Sequence, residues 1–574
     1  MQGVGDGSVT TLGELVEAYW DAYLLDDPVQ GTAIGDRRYN DRLSDITPAG
    51  RHYLARRYEG LRERVEALPA DPADPEAHLT RSALLSAIGS RLAFLAAEAP
   101  SYTVDAMIGP QNAFMSIPGF QPLDDPADGE AMLARWRAMG PWLDDLIASL
   151  RGGLANGRAP VAGSVRRVLD QVDQLLSRPV ESWTLLAPLE QEPAGWPDSE
   201  WQTFASALEN AVRYQVRSAF ARYRTFLAEE VLAASRDEDH VGLGHLPDGP
   251  ERYRELVRAH TTTDHTPAEL HGVGRVEVAR IDAELTVLGA RVLDTDSLAA
   301  TLAALRADRS IHFATGEEIV DIAERSLARA QAAIPGWFGR LPRTGCEVVR
   351  MLPHEERHTT IAYYREPAQD GSRPGRYYVN TFAPETRPRY EAEALAFHEA
   401  VPGHHLQVVI AQELDRLPAF RRHADTTAYV EGWGLYAERL ADEMGLYSGD
   451  LDRIGMLSYD AWRACRLVVD TGMHALGWSR GQAIEFMAAH TALGLNNIEN
   501  EVDRYIGWPG QALAYKVGQL EISRLRRDAE AGLGDAFDVR AFHDAVLDHG
   551  ALPLATLRES VSVDLGLDLV AADS

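Results

Sequence analysis

The stretch Phe397-His398-Glu399-Ala400-Val401-Pro402-Gly403-His404-His405-Leu406-Gln407 sets three imidazoles and a carboxylate within eight residues. A His-Glu pair followed within two turns by another His is the usual way a helix offers nitrogen ligands and a general base to zinc. In the common pattern the second His follows at i+4 and shares a helix face with the first. Position i+4 from His398 is Pro402, which cannot coordinate a metal. His404 and His405 follow at i+6 and i+7, about 9–10.5 Å along an unbroken helix and too far to share one ion. Pro402-Gly403 offers a remedy, since proline removes a backbone donor and glycine permits unusual dihedrals, so the pair can loop residues out. His404 needs two looped residues and His405 three, which favours His404. His405 stays open as the alternative ligand, as a proton donor, or as a histidine bonded to backbone.

A catalytic zinc site takes three protein ligands and keeps one position for water. The third ligand expected here is Glu431, in Tyr429-Val430-Glu431-Gly432-Trp433, 27 residues after His404, with Leu417-Pro418 as the break that lets the chain return. Glu438 lies seven residues on, on the same helical face, where it can orient a ligand histidine. Glu399 follows His398 directly and suits the role of base for a zinc-bound water. Tyr515 is the candidate donor to the oxyanion that forms when a carbonyl is attacked. Arg466, Asp470 and His474 recur at i, i+4 and i+8. Arg466 and His474 are candidate substrate contacts with Asp470 supporting them, although the three equally suit a structural ion network. Lys516 or Arg466 can capture a substrate carboxylate. Tyr378 and Asn380 lie in a segment suited to holding an extended substrate by strand addition.

These residues need elements to position them. Helical periodicity recurs at 9–25, where Thr10 and Thr11 are the caps, and at 48–68, 76–98, 129–155, 164–178, 199–235, 267–289, 297–307 and 316–334. The pattern changes at 345. Cys346–Met351, Thr359–Tyr364 and Arg376–Thr381 are rich in β-branched and aromatic residues, and Gln369–Gly375 is a strong turn signal. A small antiparallel sheet is expected directly before the His398 helix. Helices resume at 390–415, 424–445, 450–476, 480–489, 498–505 and 510–530. The fold class expected is mainly α, a large multi-helix metallopeptidase-like fold with a small antiparallel sheet beside the metal-binding helix. The expected division is a helical lobe over 1–340 and a catalytic lobe over 341–574, with the sheet at 345–382 and the metal-binding helices at 390–445.

Composition narrows the partners. The 574 residues are 45% hydrophobic and 25% charged, with a net charge of −30, which opposes binding to nucleic acid or to an anionic membrane. Two cysteines, Cys346 and Cys465, support neither a disulfide framework nor a thiolate metal site. The first residues show no basic segment followed by an apolar run, and no stretch of about 18 apolar residues is evident, so the expected location is the cytoplasm.

The His398–Gln407 stretch resembles the signature of the DUF885 family of bacterial proteins. So do Tyr378-Val379-Asn380-Thr381, Tyr429–Trp433, Arg466–Gly472 and Pro509–Lys516, and the similarity runs from Gly35-Asp36 to about residue 560. The resemblance implies a mostly helical fold related in outline to gluzincin metallopeptidases. It places zinc on His398, His404 and Glu431, the base on Glu399 and oxyanion assistance on Tyr515, with the Pro402-Gly403 insertion leaving the second histidine between His404 and His405. The expected function is a zinc-dependent hydrolase of short peptides with one Zn²⁺ per chain. The alternatives are a metallohydrolase of a non-peptide amide or ester, and a non-catalytic peptide-binding protein.

Overall fold

The computed structural model describes residues 11–69, 74–351, 356, 360–367, 373–423 and 426–568. Thr10, Thr359 and most of the expected turn at 369–375 lie outside these. The chain divides into two compact units, one formed by Met1–Ala70 and Arg91–Arg252, the other by Asp71–Ser90 and Tyr253–Ser574. This division differs from the expected break at 340/341. The helices between 253 and 334 belong with the region of the candidate site, and the first part of the helix Pro75–Ala97 joins them.

The first unit is helical throughout. Its long helix Pro126–Ala155 buries Met132, Trp136, Met139, Leu143, Leu146 and Leu150, a run at three- and four-residue spacing, against Val165, Val168 and Val172 of Ala162–Ser177 and Phe220 and Tyr223 of Arg217–Phe226. Contrary to expectation, one helix does have the length and composition of a membrane span: an 18-residue window within Pro75–Ser101 reaches a mean hydropathy of 1.2. That helix carries Arg91, whose guanidinium pairs with Asp26 inside the first unit.

The second unit holds all of the candidate site. Its elements nearest that site, in chain order, are α1 (Pro267–Leu293), β1 (Cys346–Arg350), β2 (Ala362–Arg365), β3 (Gly375–Val379), α2 (Ala392–Glu399), α3 (His404–Gln412), α4 (Thr427–Glu443), α5 (Asp450–Ala475), α6 (Leu495–Gly507) and α7 (Ala514–Leu533). The fold is mainly α, with a sheet that is mixed rather than antiparallel. Its order is β1-β3-β2, with β1 parallel and β2 antiparallel to β3. Residue alternation reveals strands but not their partners, so the parallel pairing of β1 with β3 was not legible. β3 is therefore central. Its backbone is committed on both sides, and the expected strand addition at 376–381 has no edge to use there.

The helices meet where side chains are missing. A Cβ on Gly274 of α1 would lie 2.6 Å from the Leu467 Cβ of α5. Between α4 and α7, a Cβ on Gly518 would collide with the Ala428 carbonyl, and Gly432 faces the Gly518 backbone directly. This approach brings the helix carrying Glu431 against the one carrying Tyr515. A buried ion network adds to it. Lys516 Nζ of α7 donates to Asp460 Oδ1 (2.6 Å), to Gln519 Oε1 (2.7 Å) and to Glu277 Oε2 (3.1 Å), while Arg439 of α4 holds Asp460 Oδ2 at 2.6 Å.

Gly518→Ala is expected to destabilise the protein by about 1–3 kcal/mol or more, because the collision is with backbone. Gly272→Ala, at an open and exposed position of α1, should stabilise by about 0.5–1 kcal/mol. Thermal unfolding of the two variants checks the contrast.

Candidate metal centre

The helix that begins at Ala392 stops at Glu399, and a new one begins at His404. Ala400–Gly403 form the break. The His405 N–H donates to the Ala400 carbonyl (3.0 Å), and the Trp433 indole N–H donates to the Pro402 carbonyl (2.9 Å). A side chain on Gly403 would collide with the His398 carbonyl oxygen. The loop thus folds back onto the last turn of α2, and the His398 and His404 rings come to 4.6 Å between centroids, nearly perpendicular.

Among the described residues, His398, His404 and Glu431 offer ligand atoms that all lie within 4.8 Å of one another. Glu431 Oε2 is 3.5 Å from His398 Nε2 and 3.4 Å from His404 Nε2. A charge-assisted hydrogen bond would be about 2.7–2.9 Å. The observed separations instead equal the edge of a tetrahedron with bonds of about 2.1 Å, the usual zinc–nitrogen and zinc–oxygen distance. The donor set and its spacing therefore fit a divalent metal of the zinc type.

His398 is fixed from behind. Its Nδ1 donates to Glu438 Oε1 at 2.8 Å, which turns Nε2 toward Glu431 and His404. Arg463 Nη2 lies 3.5 Å from the same Glu438 oxygen. Gly434 makes room for the ring, since a Cβ there would sit 2.7 Å from His398 Cε1. Burial alone would lower the His398 pKa, but the Glu431 and Glu438 carboxylates outweigh it and raise it to about 9. Glu431 is held well below the carboxylate range by the two histidines, against its own burial. Glu399 ends α2 beside the cluster, and burial pushes its carboxyl up while the two histidines pull the other way. Tyr515 is raised by burial and by the Glu431 charge.

His405 points elsewhere. Its Nε2 donates to the Thr344 carbonyl (3.1 Å), so Nδ1 is the acceptor for the Tyr364 hydroxyl (3.0 Å). Both ring nitrogens are engaged in tying α3 to the sheet, and burial holds the ring neutral, its pKa pushed down to about 4. The role as ligand or proton donor has no free nitrogen to use in this arrangement.

Other expected residues are also occupied. Asn380 is buried; its Nδ2 donates to the Glu356 and Thr360 carbonyls (2.7 and 3.1 Å) and its Oδ1 accepts from the Phe382 N–H (3.0 Å). It fastens a loop and has nothing to offer a substrate backbone. Tyr378 stacks on Tyr363 at 4.8 Å, on the sheet face opposite Tyr377. Lys516 is saturated by three acceptors and is structural. The Arg466–Asp470–His474 row is not a network either. Asp470 accepts from the Tyr253 hydroxyl (2.5 Å) and the Gly510 N–H (3.1 Å), and His474 Nε2 donates to the Tyr505 carbonyl (3.0 Å). Asp470 thus holds the turn at Gly510, whose φ of +83° suits glycine.

Two residues with a part in the site went unnamed in the sequence reading. Tyr377 is buried and feels the Glu399 charge. Period-two alternation separates it from Tyr378, but which face turns toward the helix is not written in the strand. Arg463 lies three residues before Arg466, and nothing in its local pattern distinguishes it.

The second unit is thus mainly helical, with a His₂Glu cluster, the Glu399 carboxyl at a helix end and a mixed sheet alongside. The chain belongs to DUF885, described as a bacterial protein family of unknown function, whose profile matches residues 28–561. Among curated proteins, none matches. A crystal structure of a candidate lipoprotein from Colwellia psychrerythraea is similar at a TM-score of 0.89 and 24% identity, covering 97% of this chain and 100% of that one. A candidate lipoprotein of unknown function from Shewanella oneidensis is similar at a TM-score of 0.73 and 17% identity, covering 96% and 99%. At these identities the likeness shows the fold.

His405→Phe is expected to lower stability by about 1–3 kcal/mol, because the Thr344 carbonyl and the Tyr364 hydroxyl lose their partner. Zinc affinity should stay within about twofold of the parent, whereas His404→Ala should lose at least about 100-fold. Unfolding together with zinc competition against a chelator reads both effects.

Proposed function

We propose that the protein is a metal-dependent hydrolase, gluzincin-like in its ligand set, that cleaves amide bonds of short peptides. The observation that carries this reading is the pair of 3.4 and 3.5 Å separations from Glu431 Oε2 to the two imidazole Nε2 atoms, with Glu399 at the end of the same helix as His398.

A zinc-type cation held by His398, His404 and Glu431 supplies Lewis acidity and lowers the pKa of water. The chain's own groups supply the rest. Glu399 takes the proton from the attacking water and passes it to the leaving amine, a role suited to a carboxyl whose pKa burial has raised. Tyr515 donates a hydrogen bond to the carbonyl oxygen as charge develops on it, and its raised pKa keeps that proton in place. Glu438 and Arg463 hold His398 in one tautomer and orientation. Glu431 and His404 are mostly buried, with side chains 20% and 12% exposed, which favours extended or small substrates over folded protein. The location proposed is the cytoplasm, against which stand the names of the two solved structures, both lipoproteins.

Elemental analysis of protein purified without chelator is expected to give about one zinc per chain. Glu399→Gln should retain that metal and lose about 10²–10⁴-fold in kcat on a peptide panel; full activity in this variant would overturn the assignment of the base. Glu438→Gln should weaken zinc binding by about 10–100-fold with helical content unchanged by circular dichroism.

A further inference from the structure

Arg466 is only 3% exposed, yet it is incompletely bonded. Its Nε donates to the Tyr505 hydroxyl (2.9 Å) and its Nη2 to Glu501 Oε2 (3.1 Å). Its Nη1 is buried and has no acceptor among the described residues. A buried charged donor without an acceptor is costly, and it marks a place where an acceptor can arrive from outside the chain.

The surroundings fix the guanidinium in position. Its Cζ lies 4.3 Å from the Tyr515 ring centroid and 4.5 Å from that of Trp462, so two aromatic rings hold it. Acceptors are scarce around it. Glu501 Oε2 is shared with Arg504, whose Nη2 and Nε lie at 3.2 and 3.3 Å, and it also accepts from the Tyr505 hydroxyl at 2.8 Å. One carboxylate thus serves two guanidiniums. Asp470, on the same helix as Arg466, spends its oxygens on Tyr253 and Gly510. Lys516, the other candidate for holding a carboxylate, is fully engaged by Asp460, Gln519 and Glu277.

The position relative to the metal centre supplies the direction. Tyr515 lies against Arg466, and Gly518, three residues further on α7, packs on Gly432, the neighbour of Glu431, so this one helix relates the cationic site to the His₂Glu cluster. A peptide whose carbonyl takes a hydrogen bond from Tyr515 would have its chain end within reach of Arg466.

We propose that Arg466, backed by Arg504, binds the free C-terminal carboxylate of the substrate, making the enzyme a carboxypeptidase that acts near the end of short peptides. This inference rests on the hydrolase reading above. Water adds across the scissile C–N bond: the carbonyl carbon gains the hydroxyl and becomes a new carboxylate, the departing nitrogen takes the proton, and a short C-terminal fragment leaves.

The test uses the zinc-loaded full chain and matched peptides of one sequence, with the C-terminus free or amidated and the N-terminus free or acetylated, the products being read by mass spectrometry. The expected result is release of a C-terminal fragment, tolerance of N-acetylation, and a loss on the order of 100-fold or more in kcat/KM on amidation. In Arg466→Gln the ratio of acid to amide cleavage should collapse toward one, a readout that a purely structural defect would leave unchanged. If that variant does not fold, the wild-type series decides. Equal cleavage of acid and amide overturns the carboxylate site and leaves the hydrolase standing. No cleavage of any peptide by fully metallated protein overturns the peptide-hydrolase reading and this inference with it.

Discussion

A helix that must stop holds the second unit's centre together. From His398 to His404 an uninterrupted helix would separate the two rings by about 9 Å; the break at Ala400–Gly403 brings their centroids to 4.6 Å. Three contacts from one helical turn of α4 sustain this arrangement. Trp433 donates to the Pro402 carbonyl, Gly434 leaves room for the His398 ring, and Glu431 faces both imidazoles. The break and the third member of the cluster are therefore fixed by the same few residues, and neither can shift without the other.

The sheet and the helices behind the cluster do the complementary work of orientation. His405 is spent on Thr344 and Tyr364, which anchors α3 to the strands and leaves its neighbour His404 turned toward Glu431. Glu438 and Arg463 brace His398 from the opposite side. Adjacent residues repeatedly take opposite duties: His404 and His405, Tyr377 and Tyr378, Tyr515 and Lys516. In each pair one member faces the cluster region and the other fastens the framework.

That division of labour explains which parts were legible in the sequence. Long helices such as Asp450–Ala475 and Pro267–Leu293 declare themselves by periodicity. The shorter Gly249–Thr261 carries the same pattern, with Tyr253, Leu256 and Val257 buried on one face, but its many Arg and Glu residues mask it. The cluster residues His398, His404 and Glu431 were readable because type and spacing are local properties. The duties of Asn380, Lys516 and Asp470 were not, since each is settled by partners from 20 to 239 positions away, such as Thr360 for Asn380, Asp460 and Glu277 for Lys516, and Tyr253 for Asp470. The mixed order of the sheet belongs to the same class of long-range fact, as does the closure of the first unit at residue 252.

The Lys516 network has a consequence for how α7 is seated. A slip of α7 by one residue would bring the Cβ of Val517 or Gln519 to the place where Gly518 meets the Ala428 carbonyl, so the glycine contact already resists it. The ammonium group adds an electrostatic constraint, because its three acceptors come from α1, α5 and α7 itself and are largely buried. A slip of one position would carry Lys516 away from Asp460 and strand two opposite charges in the interior. The ion network thus acts as a key in a slot, setting the angular register of α7 and, through it, the direction in which the neighbouring Tyr515 faces.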